Sequence, residues 1–214
     1  MKKKLLGYYN YTVVLTYCGM LFGFFGLLRV ISQDYGKAAL CLMLAGVCDM
    51  FDGAIASTKE RNESEKRFGI QIDSLSDLIC FGMLPAVFVY MISEKNAFVG
   101  LIASLFVLCA LIRLAYFNVL EEERQRQTPN ESRKSYLGVP VTTVAVFLPA
   151  LFLMYDHRVC KNIFWFPILL TFMGIAYLLP VKIKKPGIIG KAGIIVVGVL
   201  EALGMLLFMG WDAV

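Results

Sequence analysis

The sequence predicts an all-α integral membrane protein, a polytopic bundle of about seven transmembrane helices with a cytoplasmic N-terminus. Three observations carry this reading. Of 214 residues, 58% are apolar and only 17% are charged, against about 45–50% and ~25% in a soluble domain. The apolar residues fall in runs of about 20, the length that crosses a ~30 Å hydrocarbon core at ~1.5 Å per residue. The basic residues are also shared unequally between alternate loops. With no water at membrane depth to satisfy backbone groups, the runs are read as helices.

The first run, 11–32, follows Met1-Lys2-Lys3-Lys4 and a polar, aromatic stretch from Tyr8 to Thr12. It is too long for the core of a signal peptide and no small-x-small cleavage site stands out, so it is read as a retained span. Further spans are expected at 36–57, 68–92, 96–120, 138–157, 162–181 and 190–210, separated most clearly by polar stretches at 59–67, 121–136 and 182–191. No repeat is visible, and 1–214 is read as a single domain.

Lys and Arg bias sets topology. One side collects Lys2, Lys3, Lys4, Lys59, Arg61, Lys66, Arg67, Arg124, Arg126, Arg133, Lys134, Lys182, Lys184, Lys185 and Lys191. The other holds only Arg29, Lys37, Lys95, Arg158 and Lys161, and Arg113 lies inside a span. The richer side is the cytoplasmic one, which leaves Trp211-Asp212 outside. The net charge of +5 thus reads as topology plus attraction to anionic lipid, not as a nucleic-acid footprint. The expected location is a cell membrane, plasma or inner. The six cysteines have no CxxC spacing and the single His157 builds no zinc site.

Two spans break the rule that membrane helices avoid charge. Asp49, Asp52, Gly53 and Ala56 stand at i, i+3, i+4 and i+7, one stripe of a helix. Gly69, Asp73 and Asp77 stand at i, i+4 and i+8, a second stripe. Each buried Asp costs about 2.5–3.5 kcal/mol at mid-membrane, so four together call for compensation. Facing stripes would form a cage of carboxylates without a basic partner. Oxygen ligands suit Mg2+ or Mn2+, and four carboxylates suffice for two ions about 3.5–4 Å apart. A cation-coupled transporter is the rival reading at this point, because intramembrane carboxylates also mark ion paths. Glu201, in the last span, is expected to face the bundle interior.

At these residues the chain resembles the CDP-alcohol phosphotransferase family, whose signature is D-x2-D-G-x2-A-R, a short spacer, then G-x3-D-x3-D. Asp49, Asp52, Gly53, Ala56, Gly69, Asp73 and Asp77 match, seven of the eight fixed positions. Ser57 replaces the signature Arg, and the spacer before Gly69 runs to eleven residues. The stretch from Phe68 to Asp77, then Cys80-Phe81-Gly82 and Pro85-Ala86, is similar to membrane-embedded phosphatidylserine synthases. So are Arg113-Leu114-Ala115-Tyr116-Phe117-Asn118-Val119 and Leu137-Gly138-Val139-Pro140, with Tyr116 in place of a second Arg.

The resemblance implies a six-helix family core plus one extra helix, and transfer of a phosphatidyl group from CDP-diacylglycerol to L-serine with release of CMP. It implies that Asp49, Asp52, Asp73 and Asp77 hold the metals and that Asp77 is also the general base. Asp49, Gly53, Ala56, Gly69 and Asp73 would meet the nucleotide. Ser57, Lys59, Arg61, Arg113 and Asn118 are substrate candidates: Lys59 or Arg61 to replace the missing Arg, Arg113 as a clamp for phosphate or carboxylate, Asn118 to orient the acceptor. A homodimer is implied as well. The same chemistry with glycerol 3-phosphate or inositol phosphate is the near alternative. Ser74 and Ser76 read as packing hydroxyls.

Overall fold

Short polar side chains start the first four helices of the computed structural model, which describes residues 6–127, 135–184 and 188–208. Asn10 caps α1 (Tyr11–Ile31), its Oδ1 accepting from the Thr12 backbone N–H at 3.1 Å. Asp34 caps α2 (Tyr35–Ala56) by accepting from the Lys37 N–H at 3.2 Å. A reciprocal capping box starts α3 (Glu63–Ile92): Asn62 accepts from the Glu65 N–H at 2.8 Å, and Glu65 accepts from the Asn62 N–H at 3.1 Å. Asn96 accepts from the N–H groups of Phe98 and Val99 at the start of α4 (Ala97–Gln127). Beyond these lie α5 (Val144–Asp156), α6 (Trp165–Leu178) and α7 (Ile188–Phe208).

The seven helices among the described residues follow the seven expected spans, with shifts at their ends. Helix α3 begins at Glu63 rather than at 68, because the capping box pulls the charged turn into the helix. Helix α4 continues to Gln127 rather than 120, through a Glu- and Arg-rich segment of good helix formers. The fifth and sixth helices are shorter than their spans, at 13 and 14 residues. Gly138, at φ +83°, turns the chain before α5, and the chain after α6 leaves the helix to pair. There β1 (Ser135–Leu137) lies antiparallel to β2 (Lys182–Lys184), with Tyr136 opposite Ile183. This small ribbon has no counterpart in the sequence reading. Lys2, Lys3, Lys4, Arg133, Lys134, Lys185, Trp211 and Asp212, used for the topology, lie outside the described residues.

Helices α1 to α4 are long and apolar enough to cross a membrane. Their outward faces keep large apolar side chains exposed, such as Phe98, Leu101, Leu105, Leu108 and Ile112 along α4. Stripes of this extent exceed what a soluble monomer leaves to water and mark a multi-pass membrane protein. The buried core is aromatic: Phe88 meets Tyr35 and Phe152 edge-on at 5.3 and 5.6 Å, and Phe106 lies 5.5 Å from Tyr177. The Tyr177 hydroxyl donates to the Val141 carbonyl at 2.9 Å, tying α6 to the entry of α5. Glu201 on α7 is half-buried, and its Oε2 has no hydrogen-bond partner among the described residues.

Two local features position the site. Helix α1 packs on α2 and α3 through glycines. A Cβ at Gly19 would meet the Cys48 Cβ at 3.2 Å, and a Cβ at Gly23 would lie only 2.5 Å from the Cys80 Sγ. Close approach of this kind is what small residues provide in membrane helices. We expect Gly23→Ala to destabilise the fold by about 1–3 kcal/mol through overpacking, with relief when Cys80→Ala is added. Urea titration in detergent checks this, and an unchanged midpoint for Gly23→Ala would contradict the packing. The second feature is a π-helical turn, Leu78–Met83, within α3, where the Leu84 N–H bonds back to the Ile79 carbonyl. Pro85 follows at once; it has no N–H and its ring would crowd the carbonyl of Phe81 in a regular helix. The wider turn accommodates it.

Candidate metal and nucleotide site

The C-terminal half of α2 and the N-terminal half of α3 are joined by a short loop, so their acidic stripes return to the same end of the bundle. One carboxylate oxygen from each of Asp49, Asp52 and Asp73 lies within 4.8 Å of the others. Asp77 stands one turn further along α3 and lines the same small cavity. Asp52 is the most buried of the four, at 9% exposure. Its Oδ2 accepts a hydrogen bond from the Thr16 hydroxyl of α1 at 3.2 Å. Among the described residues no Lys or Arg forms an ion pair with any of the four. An all-oxygen, uncompensated acidic set of this kind suits a divalent cation.

Helix α1 thus supplies a third wall that the sequence reading did not include. Thr16 and Gly19 line the cavity from α1, Cys48 from α2, and Ser76 and Cys80 from α3. The Ser76 hydroxyl donates to the Thr16 carbonyl at 3.4 Å and the Cys80 thiol to the Gly19 carbonyl at 3.3 Å. These bonds fix α3 against α1. No spacing links Thr16 to the acidic stripes, so nothing in the sequence marks it.

The other candidates occupy distinct places. Around Gly53 there is open space, with nothing within 4 Å of a built Cβ. Ala56 is half-buried at the end of α2. The Ser57 hydroxyl turns back to the Ala54 carbonyl at 2.6 Å and closes that helix end. Lys59 pairs with Glu65 at 3.7 Å. Over Gly69 lies the guanidinium of Arg61, whose Nη1 would be 3.0 Å from a Cβ there. Asn118 on α4 accepts from the Ser74 hydroxyl at 2.7 Å, one residue from Asp73. Arg113 is buried at 7% exposure and donates from Nε to the Val139 carbonyl and from Nη2 to the Gly138 carbonyl, both at 3.3 Å. Its guanidinium therefore holds the turn before α5 and does not line the acidic cavity.

Tyr8, Asn10 and the first residue of α1 brace the α2–α3 loop and the first turns of α3. The Asn10 amide donates to Glu65 Oε1 at 3.2 Å, the Tyr11 and Thr58 hydroxyls lie 3.1 Å apart, and Tyr8 meets Phe68 edge-on at 5.3 Å.

The profile of the CDP-alcohol phosphatidyltransferase family matches residues 9–181. The chain belongs to that family. The match takes in α1 to α6 and stops before α7. Among relatives, the CDP-diacylglycerol–serine O-phosphatidyltransferase of Saccharomyces cerevisiae is 32% identical over 158 residues, 69% of this chain and 56% of its own length. Archaetidylserine synthase of Methanothermobacter thermautotrophicus is 31% identical over 132 residues, 61% of this chain and 52% of its own. A CDP-diacylglycerol–serine O-phosphatidyltransferase of Mycobacterium leprae is 34% identical over 121 residues, 56% of this chain and 39% of its own. The aligned part is about half of the first two relatives and less of the third.

Proposed function

We propose that the chain, acting as one domain over 1–214, transfers a phosphatidyl group from CDP-diacylglycerol to L-serine and releases CMP. The observation that carries this is the carboxylate cavity between α2 and α3, built on the family's own signature residues. Serine as acceptor draws support from the relatives, two named as serine O-phosphatidyltransferases and one as an archaetidylserine synthase. The basic bias supports a cavity that faces the cytoplasm, and the reading takes the membrane as a plasma or inner one, where a water-soluble acceptor meets a lipid-anchored donor. The family resemblance adds a homodimer to this reading.

The donor set fits Mg2+ or Mn2+. A spread of 4.8 Å is slightly wider than the ~4.2 Å across an octahedral Mg2+ shell with bonds of ~2.1 Å. Asp49, Asp52 and Asp73 would hold one ion and Asp77 would help to hold a second. Bound there, the ions would supply neutralisation of phosphate charge. The remaining work falls to the chain. Gly53 and Ala56 leave room for the nucleotide beside the carboxylates, and the missing side chain at Gly69 makes room for the Arg61 guanidinium that would face it. Asp77 takes the proton from the serine hydroxyl as its oxygen attacks the phosphorus that bears diacylglycerol, and the bond from that phosphorus to the CMP oxygen breaks. A serine hydroxyl is a weak nucleophile near neutral pH, which is why a base is needed at this point.

A cation-coupled transporter is disfavoured by the one-sided placement of the acids next to the α2–α3 loop, since such transporters bind at the midplane between repeats. Purified protein in detergent, given CDP-diacylglycerol, Mg2+ or Mn2+ and a panel of alcohols, is expected to release CMP with L-serine. Release with glycerol 3-phosphate or inositol phosphate and none with serine would reassign the acceptor.

A further inference from the structure

We propose that Arg61, from the loop between α2 and α3, is the guanidinium that receives the donor's phosphates at the mouth of the carboxylate cavity. The inference rests on the reading of the site as one for a nucleotide-linked lipid, and it names a residue where the family signature has none to offer. A tightly acidic cavity repels a diphosphate unless cations stand on its rim as well as within it. The position that carries the signature Arg is Ser57 here, and its hydroxyl is spent on closing α2. A cation must come from elsewhere.

Two are near in sequence, and the structure separates them. Lys59 is directed at Glu65, 3.7 Å away. Glu65 is itself anchored, accepting from the Asn62 N–H and from the Asn10 amide. Lys59 is therefore engaged by a fixed carboxylate. Arg61 has no ion pair among the described residues and folds back onto α3. It can do so because position 69 has no side chain: a Cβ there would lie 3.0 Å from Nη1. Gly69 precedes Asp73 by four residues, so the backbone under the guanidinium stands about 6 Å along the axis from that of Asp73, on the same stripe. Across the mouth the space over Gly53 is open. The fork of Arg61 thus lies on the acid-bearing stripe of α3, one turn before Asp73, with the planar donor geometry that suits phosphate oxygens.

The two departures from the signature account for each other on this view. The eleven-residue spacer gives the chain enough length to leave α2, turn, and bring position 61 back over Gly69. The contact of Tyr11 with Thr58 in the loop and the bond from Asn10 to Glu65 in the first turn of α3 hold that course.

The test measures binding apart from turnover. Affinity for CDP-diacylglycerol and for cytidine is determined in detergent with Mg2+ for the unaltered protein, Arg61→Ala, Arg61→Gln and Arg67→Ala. Arg61→Gln retains most of the packing over Gly69. Arg67→Ala removes an equal charge from an exposed pair with Glu63. Both Arg61 variants are expected to bind CDP-diacylglycerol about 10–100-fold more weakly, in line with loss of charge-assisted hydrogen bonds. Their cytidine affinity, their KM for serine and the donor affinity of Arg67→Ala are expected to hold within about two-fold, a small effect like that of most exposed ion pairs. Unchanged donor affinity in Arg61→Gln would overturn the assignment, and so would an equal loss of cytidine affinity, which would mark Arg61 as a structural residue. Failure of the unaltered protein to bind CDP-diacylglycerol would instead remove the donor reading, and this inference with it.

Discussion

Asp77→Asn is expected to lower turnover by about 10²–10⁴-fold, the range for losing a positioned general base, while the protein still binds its nucleotide donor. The expectation follows from where the four acids stand. Asp49, Asp52 and Asp73 bring their oxygens together, whereas Asp77 lies outside that trio and lines the same cavity one turn deeper. Asparagine has nearly the same shape, so the packing of α3 against α1 through Ser76 and Cys80 is kept. Single-turnover CMP release, measured beside donor binding, separates chemistry from affinity. Turnover within a few-fold of the unaltered protein would remove Asp77 as the proposed base. Loss of donor binding together with turnover would make it a ligand alone.

The second large effect concerns the trio. Millimolar Mg2+ or Mn2+ is expected to raise the Tm of the unaltered protein above its value in EDTA. A ligand at 100 times its Kd stabilises by about 2.7 kcal/mol. In Asp52→Asn that rise should vanish, with activity lost as well. Asp52 is the informative position because it is the least exposed residue of the four and its carboxylate is fixed by the Thr16 hydroxyl. Asparagine can still accept that hydrogen bond, so the variant loses charge more than geometry. A metal-dependent rise of the same size in Asp52→Asn would mean that the ions bind elsewhere, and the carboxylate cavity would lose its assigned purpose.

The sequence made the seven helices legible, because apolar runs in a bilayer have one stable backbone solution. It also made the acidic stripes legible, because four Asp residues at helical spacing in apolar surroundings demand an explanation. Helix ends were harder to read. Hydropathy alone places the start of α3 after its charges, whereas the Asn62–Glu65 capping box carries the helix back through polar residues that no apolar run includes. Thr16 could not be read, since its contact with Asp52 spans two helices and depends on how closely α1 approaches through Gly19 and Gly23. Arg113 illustrates an ambiguity of chemistry. A guanidinium that suits a phosphate also suits a pair of carbonyls, and only the path of the chain at Gly138 shows where this one is placed. The ribbon between β1 and β2 joins segments too far apart and too short for any periodicity to reveal.

The π-helical turn at Leu78–Met83 divides α3 into two halves that need not share one phase. Inserting one extra residue swings everything downstream by about 100° around the axis. The half that carries Asp73 and Asp77 can therefore point its acids at α1 and α2, while the half that carries Phe88 aims its rings at the bundle centre. A helix of uniform pitch would have to compromise between the two directions. Here the carboxylate cavity and the aromatic core are aligned separately, and each is free to be adjusted without rotating the other.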